Sequence, residues 1–319
     1  MSKNKFLFVY PPLRDKPDLF LPQGCLSLAD IIKKNNFEVD LLNVDLLRLN
    51  DEQVIDYIKK YNPLIIGWSA VTSTSYKYIK TINFLIRKHF GKKVKIILGG
   101  NLCASAELLI TKCHIDVVFI GTSEDSLDSY LKNFDNNIEL KKIKGIAFIE
   151  NDKIIFTGYP EYKKDLNNSS LIKDFSLIDT DFYMPKISDA ANNYYIDNRL
   201  KKLSETKKRM INIMLIRGCQ NSCTFCHRNV LGIQQRTVDE CIKYIEFLRD
   251  KFDIYFFRLN SESFIIKKNW ILEFAEKIKK LDVLFDINGA RVDCVDEEII
   301  KKLKDAGMIA IDFGYESGN

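Results

Sequence analysis

A chain of 319 residues with 46% hydrophobic and 29% charged side chains has the length for two domains and the apolar material for a sizeable core, which excludes a disordered or fibrous polypeptide. The net charge of +5 is spread over isolated lysine pairs, and no nucleic-acid motif accompanies it, so it reads as a solvated surface and excludes a dedicated nucleic-acid binder. No apolar run approaches the roughly 20 residues that cross a bilayer, no cleavable signal pattern precedes the first strand, and eight cysteines, three clustered and five scattered, make no secreted disulfide framework, so a cytoplasmic protein is expected.

Phe6 to Tyr10 reads as a first strand, ended by Pro11-Pro12, which cannot continue a ladder. Leu28, Ala29, Ile31 and Ile32 predict a helix closing at Asn35-Asn36, and Val39 to Leu42 predicts a second strand. A helix from Asp51 carries Val54, Ile55 and Ile58 on one face and is blocked by Pro63, before a third strand at Leu64 to Ser69. Tyr78, Ile79, Ile82, Leu85 and Ile86 stand at helical spacing ahead of a strand at Val94 to Leu98 and the pair Gly99-Gly100. A helix from Ala104 to Lys112, a strand from Asp116 to Ile120 and a helix from about Ser123 to Phe134 complete five strands alternating with five helices. This alternation specifies an α/β domain over residues 1–137, a Rossmann-like doubly wound parallel sheet. Ligands of such sheets bind outside the carboxyl ends of the strands. Those ends carry Pro11-Pro12, Ser69 to Thr74, Gly99-Gly100-Asn101 and Gly121-Thr122-Ser123-Glu124.

Residues 138–208 are expected to hold a β-hairpin, Lys144 to Ile149 turning at Glu150-Asn151-Asp152 into Lys153 to Phe156, and then a polar linker wrapped on the surface. A second α/β unit spans 209–319. Its first strand is read from Met210, Ile211, Ile213, Met214, Leu215 and Ile216, apolar enough to be buried on both faces and ending at a cysteine cluster. Thr237 and Glu240 form a capping box before a helix with Val238, Cys241, Ile242, Ile245 and Leu248 on one face, which makes Cys241 core. Ile254 to Phe257 predicts a second strand running into Arg258-Leu259-Asn260-Ser261-Glu262; a helix with Trp270, Phe274, Ala275 and Ile278 leads to a third strand at Val283 to Ile287. A helix with Ile299, Ile300 and Leu303 stops at Ala306-Gly307, and a fourth strand runs from Ile309 to Phe313. Strand–helix repeats with polar strand ends describe part of a β/α barrel. Four strands would leave an unpaired edge, so a truncated barrel is expected, from a longer chain or completed by a partner.

The cluster is Arg217-Gly218-Cys219-Gln220-Asn221-Ser222-Cys223-Thr224-Phe225-Cys226-His227-Arg228, with its cysteines in a C-x3-C-x2-C array. Three thiolates on one loop are ligands for an iron–sulfur cluster, and a cubane held by three of them leaves one iron open. Cys219, Cys223, Cys226 and His227 would also meet the four-ligand count of structural zinc, although zinc ligands usually come as two spaced pairs. Three incidental buried cysteines are the remaining reading. The stretch resembles the signature of radical S-adenosylmethionine (radical SAM) enzymes, in which an aromatic residue, here Phe225, precedes the third cysteine. The resemblance implies a [4Fe-4S] cluster on Cys219, Cys223 and Cys226 whose open iron chelates SAM. It further implies that Phe225 holds the adenine side and that Ser261 and Glu262 lie near the methionine amino group. Arg291, in a segment similar to the family's A-R-V-D, would pair with the carboxylate, and Glu316, in a segment like G-x-E-S-G, would take a ribose hydroxyl.

The strand ends of the first domain look like the cobalamin-binding domain that precedes the radical SAM domain in one large enzyme group, and imply cobalamin contacts at Ser69, Thr72, Gly99, Gly100, Gly121 and Glu124. Small residues suit a macrocycle laid against backbone. The D-x-H-x-x-G loop that ligates cobalt is absent, and His89 and His114 read as solvated or satisfied, so no histidine would sit below the metal. Together the resemblances imply a cobalamin-dependent radical SAM enzyme, foremost a methyltransferase. It would cleave SAM to a 5′-deoxyadenosyl radical and methylate an unactivated carbon of a small-molecule or peptide substrate, using an electron donor such as flavodoxin or ferredoxin. The alternatives are a methylthiotransferase-like or cyclase-like radical SAM enzyme with an empty first domain, and a non-catalytic fragment.

Overall fold

In the computed structural model, residues 4–70, 73–134, 139–167, 171–190, 197–227, 230 and 232–315 are described. The first sheet contains β1 (Asn4–Tyr10), β2 (Phe37–Asn43), β3 (Ile65–Ser69), β4 (Lys95–Gly99), β5 (Val117–Phe119), β6 (Ile146–Glu150) and β7 (Lys153–Phe156), in the order β2-β1-β3-β4-β5-β6-β7. β1 to β5 are mutually parallel, as the strand–helix alternation requires. Residues five to ten of the chain show why the sheet is covered twice: Leu7 and Val9 enter the core against the helices Asp51–Tyr61, Ser75–Phe90 and Ala106–Cys113, while Phe6, Phe8 and Tyr10 enter the opposite core against Gln23–Lys34 and Glu124–Lys132. The order reverses between β1 and β3, which opens a crevice at their carboxyl ends.

The predicted hairpin is not a separate element. β6 pairs antiparallel with β5 through Val117–Phe148, Val118–Ala147 and Phe119–Ile146, and so extends the parallel sheet and covers the edge that β5 would expose.

The second sheet holds β8 (Arg209–Ile213), β11 (Ile254–Asn260), β12 (Leu284–Ala290) and β13 (Met308–Phe313), parallel and open, in the order β13-β12-β11-β8; between β8 and β11 in the chain, β9 (Ile216–Cys219) and β10 (Gly232–Gln235) form a ribbon of their own. This corrects the single strand read through Met210 to Ile216. The chain leaves the sheet after Ile213, Met214 is 38% exposed, and Ile216 begins an antiparallel pairing instead. The apolar run encodes two strands of different sheets, which hydropathy cannot divide. Ile213, Leu259 and Ile287 face the helices Val238–Phe252, Lys268–Ile278 and Glu297–Asp305, and Cys241 is fully buried there. The other face turns polar at Asn212, Arg258 and Asp286, which are register neighbours, with Arg258 Nε donating to Asp286 at 2.9 Å.

The described part of the stretch read as a surface linker is mostly exposed or half-buried, yet it sends six apolar side chains into the core. Leu166, Phe175, Tyr183, Met184, Ile187 and Leu200 are all buried. Phe175 meets Phe252 edge-on at 5.2 Å, the Asn43 amide at the end of β2 donates to the Tyr183 hydroxyl at 2.6 Å, and Ile187 and Leu200 pack at the amino-terminal end of the second sheet against Met210 and Phe256. Its apolar residues lack a period because irregular backbone and short helices present them, so no pattern marks them as core.

One buried acid shapes the loop after β1. Asp45, 0% exposed, accepts the backbone N–H groups of Leu13 (2.8 Å) and Asp18 (3.0 Å) and pairs with Arg48 at 3.3 Å. Replacing it by alanine orphans two backbone donors and leaves a half-buried guanidinium without its acid. Asp45→Ala is expected to lower unfolding stability by about 2–3 kcal/mol and to open residues 11–22 to proteolysis under native conditions; denaturant titration and cleavage mapping check both.

Candidate functional site

The cysteine loop hangs from the β9–β10 ribbon, where Cys219 pairs with Gly232, Gly218 with Ile233 and Arg217 with Gln234. Gly218 has φ +83°, and a Cβ there would lie 2.1 Å from the Gly232 carbonyl oxygen, so the closure of this ribbon requires glycine. Cys219 is half-buried, Cys223 and Cys226 are exposed, and none is in a disulfide. That exposure removes the reading of three incidental core cysteines. The Cys226 N–H donates to the Cys223 carbonyl at 3.1 Å, which coils the segment into a turn, and Phe225 projects from it at 68% exposure. Among the described residues no three His, Cys, Asp or Glu side chains converge as ligands for a single metal ion, so Cys219, Cys223, Cys226 and His227 do not form a preassembled zinc tetrahedron. Three free, soft thiol donors on one accessible loop fit a thiolate-bound polynuclear cluster, whose ligands attach at separate irons.

Beside the loop lies a cavity of about 480 Å³ between the carboxyl ends of the two sheets. From the first sheet come Tyr10, Ser69, Gly99, Gly100 and the run Gly121 to Glu124; from the loop after β1 come Leu13, Arg14, Asp18, Phe20 and Leu21; from the second sheet and its ribbon come Asn212, Met214, Arg217, Asn260 and Glu262. Its walls are chiefly apolar, with polar groups contributed by both sheets and by the loop after β1, the usual composition of a cofactor cleft. Cys25 lies in the wall, and burial pushes its thiol up to about 12.

The expected residues divide. Ser69, Gly99, Gly100, Gly121, Glu124 and Glu262 are brought together on this cavity, while Thr72 and Glu316 lie outside the described residues. Gly100 owes its identity to its own chain: φ is +99° and a Cβ would sit 2.4 Å from the Ala70 carbonyl oxygen, so the β4 turn packs against the β3 turn. Glu124 is engaged by Arg217 at 2.6 Å, and although burial favours its neutral form, the Arg217 charge and hydrogen bond outweigh this and hold the carboxyl below its ordinary range. Ser261 Oγ donates to the Ile216 carbonyl at 2.9 Å, and Glu262 accepts the Gly218 N–H at 3.0 Å. Arg291 is off the cavity, its fork bound to Asp293 with Nε at 2.9 Å. Local pairing with a residue two positions on is a competitor that the motif itself contains.

Asn212 and Asn260, whose side chains bond each other at 3.2 Å, were not singled out from sequence. Polar residues at every second position, Arg258 and Asn260 in a strand otherwise apolar, were the available signal. Gln23 and Leu19 also meet this sheet: the Gln23 amide donates to the Asn212 carbonyl at 3.3 Å and the Asn212 amide to the Leu19 carbonyl at 3.0 Å.

A family model described as the B12 binding domain matches residues 18–131, and one described as the radical SAM superfamily matches residues 213–319. An uncharacterized methyltransferase of Pyrococcus horikoshii is 24% identical over the whole chain and 67% of its own length. The anaerobic magnesium-protoporphyrin IX monomethyl ester cyclase of Rubrivivax gelatinosus is 25% identical over 93% of the chain and 52% of its own length. Among solved structures, the cobalamin-dependent S-adenosylmethionine radical enzyme OxsB, with aqua-cobalamin and S-adenosylmethionine bound, superposes with TM-score 0.75 at 20% identity over 99% of this chain and 44% of that one. The radical S-adenosylmethionine methyltransferase TsrM of Kitasatospora setae gives 0.70 at 14% identity over 98% and 59%. The two likenesses are of fold. The chain spans about half to two thirds of the length of these relatives.

Thiol chemistry checks the arrangement. In native protein without metal, iodoacetamide at pH 8 is expected to label Cys223 and Cys226 first, and Cys25 and Cys241, both pushed up to about 12 by burial, only after unfolding. Early labelling of Cys25 or Cys241, read by peptide mass mapping, would contradict the packing.

Proposed function

We infer the activity of this chain from its matches to the B12 binding domain and the radical SAM superfamily: it is a cobalamin-dependent radical SAM protein that serves the transfer of a methyl group to an unactivated carbon. The observation that carries the reading is adjacency. Arg217, two residues ahead of Cys219, lines the cavity formed by the carboxyl ends of the first sheet. A thiolate-held cluster and a large organic cofactor would therefore be neighbours across one wall.

When bound, a [4Fe-4S] cluster with SAM supplies reductive cleavage to a 5′-deoxyadenosyl radical, and cobalamin supplies a transferable methyl group. Cys219, Cys223 and Cys226 are the thiolates for the cluster, with Phe225 beside the third of them. Ser69, Gly99, Gly100 and Gly121 form the side of the cavity proposed to take the corrinoid and its tail, and Thr72 is assigned to the same contact. The apolar wall at Tyr10, Leu13 and Leu21 would keep water from that side of a bound cofactor, which would protect reactive species from quenching. Asn212, Asn260 and Glu262 face the cleft from the other sheet and orient what lies above it. Arg291 and Glu316 remain assigned to SAM, the former on condition that its fork leaves Asp293. A small-molecule or peptide substrate and a reducing partner such as flavodoxin or ferredoxin complete the proposal.

A second reading is a cyclase, since three of the curated relatives are named anaerobic magnesium-protoporphyrin IX monomethyl ester cyclases. As a cyclase-like enzyme with an empty first domain it would share the cluster and SAM and transfer no methyl group.

The test is anaerobic iron, sulfide and cobalt analysis with the visible spectrum, followed by incubation with reductant and methyl-deuterated SAM. Expected are about four irons per chain, bound corrinoid, 5′-deoxyadenosine, and deuterium on the corrinoid; Cys223→Ala loses the iron and the 5′-deoxyadenosine together. Iron without cobalt would retire methyl transfer and favour the cyclase reading. Zinc in place of iron would overturn both.

A further inference from the structure

The strand that delivers the cysteine loop is gripped from three sides. Ser261 Oγ donates to the Ile216 carbonyl at 2.9 Å, the Gly218 N–H donates to the Glu262 carboxylate at 3.0 Å, and Arg217 Nη1, between them, donates to Glu124 at 2.6 Å. Ser261 and Glu262 follow β11 and belong to the second sheet, whereas Glu124 opens the helix after β5 and belongs to the first. Of the three contacts, only the Arg217–Glu124 pair crosses from one sheet to the other. A ribbon of four-residue strands has little stability of its own, so the place of its loop is set by whatever holds its base.

We propose that Arg217 and Glu124 are positioning residues whose ion pair fixes the three-cysteine loop relative to the wall of the intersheet cavity. The proposal rests on the function above only for what the loop and the cavity carry; the grip is a property of the protein alone. The two side chains are 25% and 27% exposed, so water and salt screen the pair far less than a surface bridge, and its short charge-assisted hydrogen bond is of the stronger kind. Ser261 and Glu262 tie the ribbon to its own sheet, and β10 is held by the segment after β7, where the Tyr162 hydroxyl bonds the Ile233 backbone and the Leu166 N–H donates to the Gln235 carbonyl at 3.2 Å; the Arg217–Glu124 pair acts on β9, the strand that runs into the cysteine loop. Two further contacts across the cleft, Gln23 and Leu19 with Asn212, bear on β8. Glu124 thereby has a role other than ligand contact, which its position in a strand-end segment did not suggest.

Hydrogen–deuterium exchange on the intact, cofactor-free protein tests this without reference to any activity. Glu124→Gln keeps shape and removes the charge; Arg217→Lys keeps the charge and removes the planar fork; Arg217→Met removes both. The expected result is that Glu124→Gln and Arg217→Met speed exchange in peptides covering 216–223 by about tenfold while β1 and β11 exchange as in the wild type. Arg217→Lys lies between, and the exchanged pair Glu124→Arg with Arg217→Glu recovers part of the protection. In the loaded protein, the same variants should change the relaxation of the cob(II)alamin electron spin by the reduced cluster, a readout of the spacing between them. Unchanged exchange at 216–223 in Glu124→Gln would overturn the proposal, as would loss of protection spread evenly over both sheets in Arg217→Lys as well. Absence of iron or cobalt from the wild type would instead fall on the function, leaving the exchange result to decide the grip.

Discussion

Parallel strands place their carboxyl ends on one side of a sheet, and the five parallel strands of the first sheet and the four of the second turn those ends toward a single cleft. Every chemically notable residue follows from that constraint. Ser69, Gly99 and Gly121 end strands of the first sheet, Asn260 and Glu262 end a strand of the second, and the thiols hang from a ribbon that begins where β8 stops. The helices and the two cores below serve to hold strand directions. The segment between the sheets packs Ile187 and Leu200 at the opposite, amino-terminal end of the second sheet, so that the polar face opens toward the cleft.

The alternation of strands and helices was legible because each element is amphipathic with a single period, and the parallel sense of the five strands and both cores follow from it. The cysteine spacing was equally legible, since ligand chemistry demands residue types that few other roles require. Three features escaped. The break at Met214 escaped because both flanking strands are apolar; the six buried side chains of the linker, Leu166 to Leu200, escaped because loops impose no period; and the ribbon strand Gly232–Gln235 escaped because its sequence is polar and short, its pairing decided by Gly218 and Gly232. All three depend on long-range partners.

Site residues were legible by location more than by role. Strand-end reasoning gathered Ser69, Gly99, Gly121, Glu124 and Glu262 on one cavity, yet Gly100 answers to the Ala70 carbonyl, Glu124 to Arg217, and Arg291 to Asp293. A charged side chain in a motif has several partners within reach, and sequence order does not rank them. Asn212, which bonds the loop after β1 and Asn260 at once, has no motif and is identified by its place in the register.

Asp45 holds the loop after β1 through the backbone N–H groups of Leu13 and Asp18. Main-chain groups are the same whatever residues occupy those positions, so the anchorage does not depend on the identities of Arg14 or Phe20, which face the cavity. The wall of the cleft can thus be rewritten residue by residue while its course is kept. A scaffold of this kind separates where a surface stands from what it recognises, and lets selectivity drift without a change of fold.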